Sequence, residues 1–276
     1  MYPENKKNIA ADPIQPYFVI NSTKYYKKPS CHPAIAHFYR FTGKLQMANW
    51  ITIPDGAIDI IFACDQAHPT ARICGFVTGS GNSGFEDHKT YFGVRILPGY
   101  FDRIGFVSAC ELVNVEYNLE DVLGKKFPME QIALEPEFSK QISLFMDHFI
   151  NGFLLSEASL HTITASVLEK IYASAGNLRI QDLEKDMLYS RRHLCRCFKN
   201  TIGVDIKTFS EYVRFQFVLQ YINKGAFSSL ADVALAGNYY DQTHFQKDFK
   251  RFANVTPRDY LRLLTEYNYN KKLIII

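Results

Sequence analysis

The sequence predicts an α+β protein with a β-rich N-terminal region and an all-helical C-terminal region. Between Cys31 and Phe101, short apolar runs alternate with clusters of turn-forming residues, as in hairpins. After Phe138 the apolar residues take up a helical period. Charge divides in a similar way, because residues 170–276 contain 17 Lys and Arg against 10 Asp and Glu, whereas residues 1–169 contain 14 against 18. Only the C-terminal region therefore attracts phosphate.

The N-terminal strands are predicted from five apolar runs. These runs are residues 35–41, 50–53, 57–63, 72–77 and 91–97. Turn signals at residues 54–56, 79–84 and 98–99 separate several of them. Within the last run, alternate residues are apolar, which indicates a strand with one covered face.

Two amphipathic helices are expected to follow. The apolar positions of the first helix are Phe138, Ile142, Phe145, Phe149 and Phe153. Those of the second helix are Leu160, Ile163, Val167 and Ile171. Both series keep the spacing of one helical face, and the second helix leads into the basic region.

Residues 229–260 predict a helix-turn-helix. Leu230, Val233 and Ala234 lie on one face of a short helix. Asn238 tolerates the left-handed backbone of a sharp turn, and Asp241 can cap the next helix.

The second helix of this motif is expected from about Gln242 to Phe252. Its buried stripe consists of Phe245, Phe249 and Phe252. Its remaining surface is polar and consists of Gln242, Thr243, Gln246, Lys247 and Lys250.

These residues resemble the signature of the AraC/XylS transcription regulators. The resemblance rests on the apolar-Ala helix, Tyr239, the pairs 241–242, 244–245 and 249–250, and the closing Val255-Thr256-Pro257 and Tyr260. Asn238 and Asn254 stand where the family usually has Gly, but Asn is also tolerant of the left-handed conformation.

The family carries two such units joined by a long helix, and an upstream copy is present. Ile180, Leu183 and Met187 predict its first helix, and Ser190 caps a second helix with Leu194 and Phe198 facing inward. A helical period then runs through Ile206, Phe209, Val213, Phe217 and Tyr221. The first unit departs from the family at Glu184, usually a small Ala, and at Leu188, usually Gly.

The stretches 53–62, 71–79 and 93–101 resemble the sensing domain of one group of these regulators. The resemblance implies a β-barrel-like (cupin-like) domain with following helices. The expected division is a sensing or dimerisation domain at 1–156, a connecting helix at 157–175 and a DNA-binding domain at 176–276. Within the last, the two units fall at about 180–200 and 229–252, with the linker helix at about 205–224.

The resemblance implies a bacterial-type, sequence-specific regulator with two recognition helices in successive major grooves of double-stranded DNA. Matching positions suggest that Arg192, Cys195 and Arg196 read bases in the first unit. The corresponding residues in the second unit are Gln242, Thr243, Gln246 and Lys247. Lys250, further along, is expected to contact the DNA backbone.

A small-molecule effector is an expected partner of the N-terminal domain. Trp50, Arg95 and Tyr100 are its candidate contacts, because Arg95 can meet an anion and the aromatics can line a pocket. The alternative is that Arg95 forms a structural salt bridge and the aromatics fill the core. RNA polymerase and a second copy of the chain, forming a homodimer, are further candidate partners.

Six cysteines lack C-x-x-C pairing or finger-like spacing, which favours reduced thiols. Cys195 is the candidate for oxidation because it is expected to face DNA. A redox- or metal-responsive regulator using cysteines or histidines therefore stays open as an alternative, and an enzyme of the cupin class is the less favoured one. No cofactor, metal site or catalytic residue is predicted, since nucleophile-elbow, Walker and dinucleotide motifs are missing from the sequence.

The N-terminal residues lack the apolar segment of a targeting signal. The apolar tail 274–276 is far shorter than the roughly 20 residues of a membrane span. We therefore expect a cytoplasmic protein that does not cross a membrane.

Overall fold

The computed structural model describes most of the 276-residue chain. The described residues are 12–44, 50–100, 103–104, 107–124, 127–152, 162–225 and 227–276. The expected boundary at residues 156–157, together with Phe101, Phe153 and Leu160, lies outside them.

A seven-stranded sheet forms the centre of the N-terminal region. Its strands, in spatial order, are β10 (Glu116–Asn118), β5 (Thr70–Cys74), β4 (Ile58–Ala63), β7 (Thr90–Ile96), β2 (Ile35–Gly43), β1 (Ser22–Pro29) and β11 (Leu273–Ile275). Two small ribbons pair β3 (Ile51–Thr52) with β6 (Gly81–Asn82) and β8 (Arg103–Ile104) with β9 (Val107–Ser108). The predicted β-rich region is therefore confirmed.

The sheet is open, because its outer strands β10 and β11 do not pair with each other in the described part of the chain. The predicted α+β architecture is confirmed, whereas the barrel-like, cupin-like form that the resemblance implies stays a prediction. β11 comes from the end of the chain and pairs in parallel with β1, with Tyr25 opposite Leu273 and Lys27 opposite Ile275. The last residues thus belong to the N-terminal sheet, although the sequence placed them in the DNA-binding region.

The central strands are covered on both faces. On one face lies a cluster that includes Phe38, Phe62, Phe92 and the helix α4 (Phe138–Gly152), whose Phe145 is fully buried. On the other face lies a cluster that continues into the C-terminal helices. This double burial explains why β4 and β7 read as nearly continuous apolar runs.

The other described helices range from 4 to 18 residues in length. They are α1 (Pro16–Ile20), α2 (Leu119–Leu123), α3 (Met129–Leu134), α5 (Thr162–Ala173), α6 (Ile180–Met187), α7 (Arg191–Ile202), α8 (Ile206–Asn223), α9 (Leu230–Ala236), α10 (Gln242–Ala253), α11 (Pro257–Glu266) and α12 (Tyr269–Lys272). Of the two predicted amphipathic helices, α4 covers the sheet. The second, α5, packs instead on α7 and α8.

The linker helix α8 is buried around most of its circumference, as Tyr212, Phe215, Phe217 and Leu219 show. A helix whose side chains are buried on most sides lies inside a fold rather than on its surface. No helix in the described part of the chain is both long and apolar enough to cross a membrane.

Candidate nucleic-acid interface

The second helix-turn-helix unit is built by α9 and α10. Ser229 and Asp232 form a reciprocal capping box at the start of α9. Asn238 turns the chain with φ 53°, and Asp241 caps α10 by accepting a hydrogen bond of 2.6 Å from the backbone N–H of His244. Both predicted turn residues are confirmed. Asn254 ends α10 in the left-handed conformation with φ 60°.

The two faces of α10 separate as predicted. Phe245, Phe249 and Phe252 are fully buried. The five predicted polar positions are all exposed: Gln242, Thr243, Gln246, Lys247 and Lys250. They therefore form a solvent-facing surface that carries amide, hydroxyl and ammonium groups.

Ionic contacts that the sequence did not reveal fix α10 on the linker helix α8. The Arg214 guanidinium lies 3.4 Å from the Asp248 carboxylate and 4.8 Å above the Tyr239 ring. One turn along, Arg251 pairs with Glu211 at 3.3 Å. These pairs hold the buried edge of α10, so its exposed surface has a fixed orientation.

The first unit is built by α6 and α7. Ser190 caps α7 by accepting a hydrogen bond from the backbone N–H of His193, and Leu194 and Phe198 are buried. Glu184, which departs from the family pattern, accepts a hydrogen bond of 2.7 Å from the backbone N–H of Arg191. Its carboxylate thus satisfies a free donor at the start of α7, which a small Ala cannot do.

Leu188 is the second departure, and it adopts the left-handed conformation that the family gives to Gly. Its φ is 57°, and its side chain is 89% exposed. The turn therefore forms with the same geometry but at a steric cost to the backbone.

Leu188→Gly is expected to raise the free energy of unfolding by about 0.5–1 kcal/mol, because it relieves this strain and removes a side chain that buries little surface. Leu235→Gly is the matched control, since Leu235 is 66% exposed but lies within α9. That change should lower stability by about 1 kcal/mol. Urea unfolding measures the stability of both variants. If Leu188→Gly lost as much stability as Leu235→Gly, the backbone at Leu188 would not be strained.

The predicted base-reading residues of α7 differ in exposure. Arg192 and Arg196 are exposed, whereas Cys195 is half-buried and packs against the hydrophobic core. The sequence placed Cys195 on the DNA-facing side of α7. Because Cys195 lies next to the buried residue Leu194, its side chain is less exposed than that of Arg192 or Arg196.

Comparison with known proteins agrees with this geometry. The profile described as a helix-turn-helix domain matches residues 183–263, which include α7, α8, α9 and α10. The C-terminal region carries an AraC-type helix-turn-helix domain.

The solved structures that are similar to the chain include two of ToxT. One is ToxT from Vibrio cholerae, with 14% identity, coverage of 83% of this chain and 97% of that chain, and a TM-score of 0.43. The other is unsaturated fatty acid-bound wild-type ToxT from Vibrio cholerae strain SCE256, with 15% identity, coverage of 89% and 95%, and a TM-score of 0.40. No curated protein matches the chain.

The N-terminal region makes direct contact with the AraC-type domain. The Gln216 side chain on α8 accepts from the backbone N–H of Ile14 at 2.9 Å and donates to the Pro54 carbonyl at 3.1 Å. The Tyr17 hydroxyl donates to the Ala253 carbonyl at 2.5 Å, at the end of α10. The backbone of Gly56 approaches Phe209 so closely that a Cβ there would collide with the ring.

Arg95 is not available to an effector. Its side chain is 1% exposed, and it pairs with Asp55 at 2.8 Å and with Asp59 at 2.6 Å. The candidate role as an anion contact is therefore wrong, and the structural salt bridge is the correct alternative. The reason is that β7 is covered on both faces, so its one charged side chain points into the fold.

The two aromatic candidates are largely core residues. Tyr100 packs against the cluster beneath α4. Trp50 is buried against Phe41 and Phe85, with ring centroids 5.6 and 5.2 Å away. One edge of Trp50 borders a cleft of about 220 Å³ whose other lining residues are Ile51, Ser80, Gly81, Asn82 and Asn254. Among the three candidate effector contacts, Trp50 is therefore the residue that borders this cleft.

A second polar cluster joins the N-terminal segment to β1 and β2. The Asp12 carboxylate lies 2.5 Å from the Lys27 ammonium and 3.0 Å from Nδ1 of His37. Burial, followed by the charge of Lys27, lowers the pKa of His37 to about 4, although Asp12 opposes the shift. The buried imidazole is therefore neutral at pH 7.

This cluster predicts an acid-sensitive fold. Because the pKa of His37 in the folded protein lies below its ordinary value of 6.5, the unfolded chain binds more protons between these values. The free energy of unfolding therefore does not depend on His37 above pH 6.5. As the pH drops from 6.5 towards 4, protonation of His37 in the unfolded chain lowers it by up to roughly 3 kcal/mol. His37→Gln should flatten this part of the stability profile in urea unfolding from pH 7 to 4.5. His68→Gln, on an exposed loop, is the control, and an unchanged slope in His37→Gln would contradict the assignment.

The remaining candidate ligands are not grouped for metal binding. No disulfide bond joins any of the six cysteines in the part of the chain that the structure describes. Among the residues that the structure describes, no three His, Cys, Asp or Glu side chains come together in a way that could hold a metal ion.

Proposed function

We propose that the chain is a sequence-specific transcription regulator that places α7 and α10 in successive major grooves of double-stranded DNA. The observation that carries this proposal is the pair of capped helices, each with one buried stripe and one exposed polar face, joined by the 18-residue helix α8. A single helix of this kind is common, but two in tandem, each preceded by a short helix and a turn with one left-handed residue, are typical of a DNA reader.

The charge of the helical region supports this function. Residues 170–276 carry a net charge of +7. Neutralisation of phosphate by Lys and Arg releases counterions and supplies binding that depends on salt but not on sequence. We therefore expect weak binding to any duplex at low salt, with specificity added by base contacts.

The exposed residues can supply those base contacts. Arg196 can donate two hydrogen bonds to O6 and N7 of guanine, and Gln242 or Gln246 can donate to and accept from adenine. Arg192, Thr243 and Lys247 complete the proposed reading surface, with Cys195 at its inner edge. Lys250 lies further along α10 and serves the DNA backbone.

Gln246→Ala and Arg196→Ala are each expected to lower affinity for the specific site by roughly 1–3 kcal/mol while leaving non-specific binding nearly unchanged. Lys250→Ala should weaken both kinds of binding, because a phosphate contact carries no sequence information. Fluorescence anisotropy with the selected site and with a random duplex measures the difference. If Gln246→Ala lost the same affinity for both duplexes, Gln246 would not contact bases.

The proposed function itself is tested by mapping the binding sites of the intact protein across its genome. Enrichment of a common sequence is the expected result. If the purified chain neither enriches a sequence nor binds any duplex at low salt, the proposal is wrong. No catalytic activity is proposed for either region.

We also propose that the N-terminal region controls DNA binding through a small-molecule effector. This part rests on the contacts of Gln216, Tyr17 and Gly56 with α8 and α10, since a ligand that moved the N-terminal segment would act directly on these helices. The cleft beside Trp50 and Asn254 touches both regions and is the candidate entry for such a ligand. The working division of 1–156, 157–175 and 176–276 stays a proposal.

A homodimer and contact with RNA polymerase complete the proposed assembly. Light scattering of the full chain tests the first, and a monomer at every concentration would exclude it. Binding assays should use the full chain, because a fragment that starts at residue 170 lacks β1 and leaves β11 without its partner strand.

A further inference from the structure

Three side chains on the recognition helix α7 contact one another in a chain. Nη2 of Arg196 lies 3.4 Å from Nδ1 of His193, and Nε2 of His193 lies 3.6 Å from Sγ of Cys197. Their spacing of three and four residues places them on one face of the helix. The Tyr189 ring stacks on the imidazole at 5.2 Å, which holds its orientation.

The direction of hydrogen bonding follows from the guanidinium. Arg can only donate, so Nδ1 of His193 accepts, and the ring hydrogen lies on Nε2. That hydrogen points at the sulfur of Cys197. A hydrogen bond donated to sulfur stabilises the negative charge that a thiol carries when it acts as a nucleophile.

The electrostatic surroundings have the same effect. The helix α7 carries Arg191, Arg192, Arg196 and Lys199 and has no Asp or Glu. The neighbouring acid Glu184 is engaged by the backbone N–H of Arg191. Electropositive, half-exposed positions of this kind are where reactive thiols occur in proteins, and Cys197 is half-buried.

Three of the other thiols have different surroundings. Cys195 packs against the hydrophobic core. Sγ of Cys110 donates to the carbonyls of Lys199 and Asn200 at 3.1 and 3.3 Å. Cys31 is exposed and serves as a reference for an accessible thiol.

We propose that Cys197 is a site of reversible oxidation by hydroperoxides and that its oxidation displaces the DNA-reading Arg196. The sulfur attacks the terminal oxygen of the peroxide, an S–O bond forms and the O–O bond breaks. The departing oxygen takes the thiol proton and leaves as water or an alcohol, so sulfur loses two electrons and the peroxide gains them. The product is a sulfenic acid, which thiols reduce again.

The oxidised sulfur does not pair with Cys195 within the folded helix. Cys195 and Cys197 lie two positions apart, about 200° around the helix axis, so their Cβ vectors diverge too far for a disulfide. The added oxygen occupies the space next to Nε2 of His193. The imidazole moves away, and Arg196 loses the acceptor that holds it in place.

The chemical part of this proposal is tested on the full chain. The protein is treated with hydrogen peroxide and a 1,3-dione that traps sulfenic acids, and labelling of each cysteine is measured by mass spectrometry. Cys197 should be labelled about ten-fold faster than Cys31, although Cys31 is more exposed. His193→Gln should slow the labelling of Cys197 to the rate of Cys31, while the labelling rate of Cys31 and the thermal midpoint of the protein stay unchanged. Equal rates at Cys197 and Cys31, or an unchanged Cys197 rate in His193→Gln, would overturn the assignment.

The regulatory part rests on the proposed function and has its own readout. Peroxide should lower affinity for the specific duplex about ten-fold, dithiothreitol should restore it, and Cys197→Ser should make affinity insensitive to peroxide. Unchanged affinity in a protein fully labelled at Cys197 would overturn this part. Failure of the untreated protein to bind any duplex would instead reject the proposed function, and the labelling rates still decide whether Cys197 is the reactive thiol.

Discussion

Phe249→Ala is expected to lower the free energy of unfolding by about 3–5 kcal/mol and to abolish DNA binding by unfolding the domain. Phe249 is fully buried at the middle of α10. Its ring lies 5.6 Å from Phe215 on α8, 5.7 Å from Phe245 and 5.5 Å from Tyr260 on α11. One side chain therefore joins three helices, and its removal leaves a cavity that these rigid rings cannot close.

Guanidinium unfolding followed by circular dichroism measures this effect. Leu235→Ala is the control, because it also shortens an apolar side chain in the second unit but at an exposed position. It should change stability by less than about 0.5 kcal/mol. If Phe249→Ala kept the parent midpoint yet still lost DNA binding, the residue would face DNA rather than the core.

The AraC-type domain could be predicted in detail because its signals are local. Asp241 caps the helix that starts at the next residue, and Asn238 turns the chain within a few residues of both helices. The aromatic stripe of α10 depends only on spacing along one helix. Such features need no knowledge of the rest of the chain.

Leu188 shows where local signals fail. Leu rarely adopts the left-handed conformation, so the geometry of the first turn could not be predicted from the sequence. The structure nevertheless has a left-handed backbone at Leu188, with φ 57°. The packing of Leu183 and Leu194 in the core outweighs a cost of about 1–2 kcal/mol at one exposed turn residue.

The N-terminal architecture could be predicted only as β-rich, since strand order depends on pairing between distant segments. Leu273 pairs with Tyr25 across most of the chain, and its three-residue strand has no turn or hairpin signal to reveal its partner. The charged contacts are equally non-local. Arg214 and Asp248 are 34 positions apart, and Arg95 is 36 from Asp59.

The buried network around Arg95 predicts the second large effect. Arg95 donates from Nη1 to Asp55 and from Nη2 and Nε to Asp59. Tyr39 also donates to Asp59 at 3.2 Å, and Gln15 donates to Asp55 at 2.8 Å. The guanidinium thus balances two carboxylates that are nearly excluded from water.

Arg95→Met is expected to lower the free energy of unfolding by about 3–5 kcal/mol, because it leaves two buried carboxylates without a counter-charge. Arg40→Met is the matched control on the adjacent strand β2. Arg40 donates to the Pro136 carbonyl and to Gln141, so its loss leaves no carboxylate unpaired. That change should cost only about 1 kcal/mol.

The pH dependence of the Arg95→Met deficit separates lost charge balance from lost packing. Burial, even with Arg95 present, raises the pKa of Asp55 above its usual value of 3.8. Without the guanidinium the carboxyl pKa rises further, so the folded variant takes up protons that the unfolded chain releases. A raised carboxyl pKa in the folded state means that stability is lost as pH rises. The deficit relative to the parent should therefore be larger at pH 7 than at pH 5 in parallel urea unfolding. A deficit of the same size at both values would show that Arg95 stabilises the sheet by packing alone.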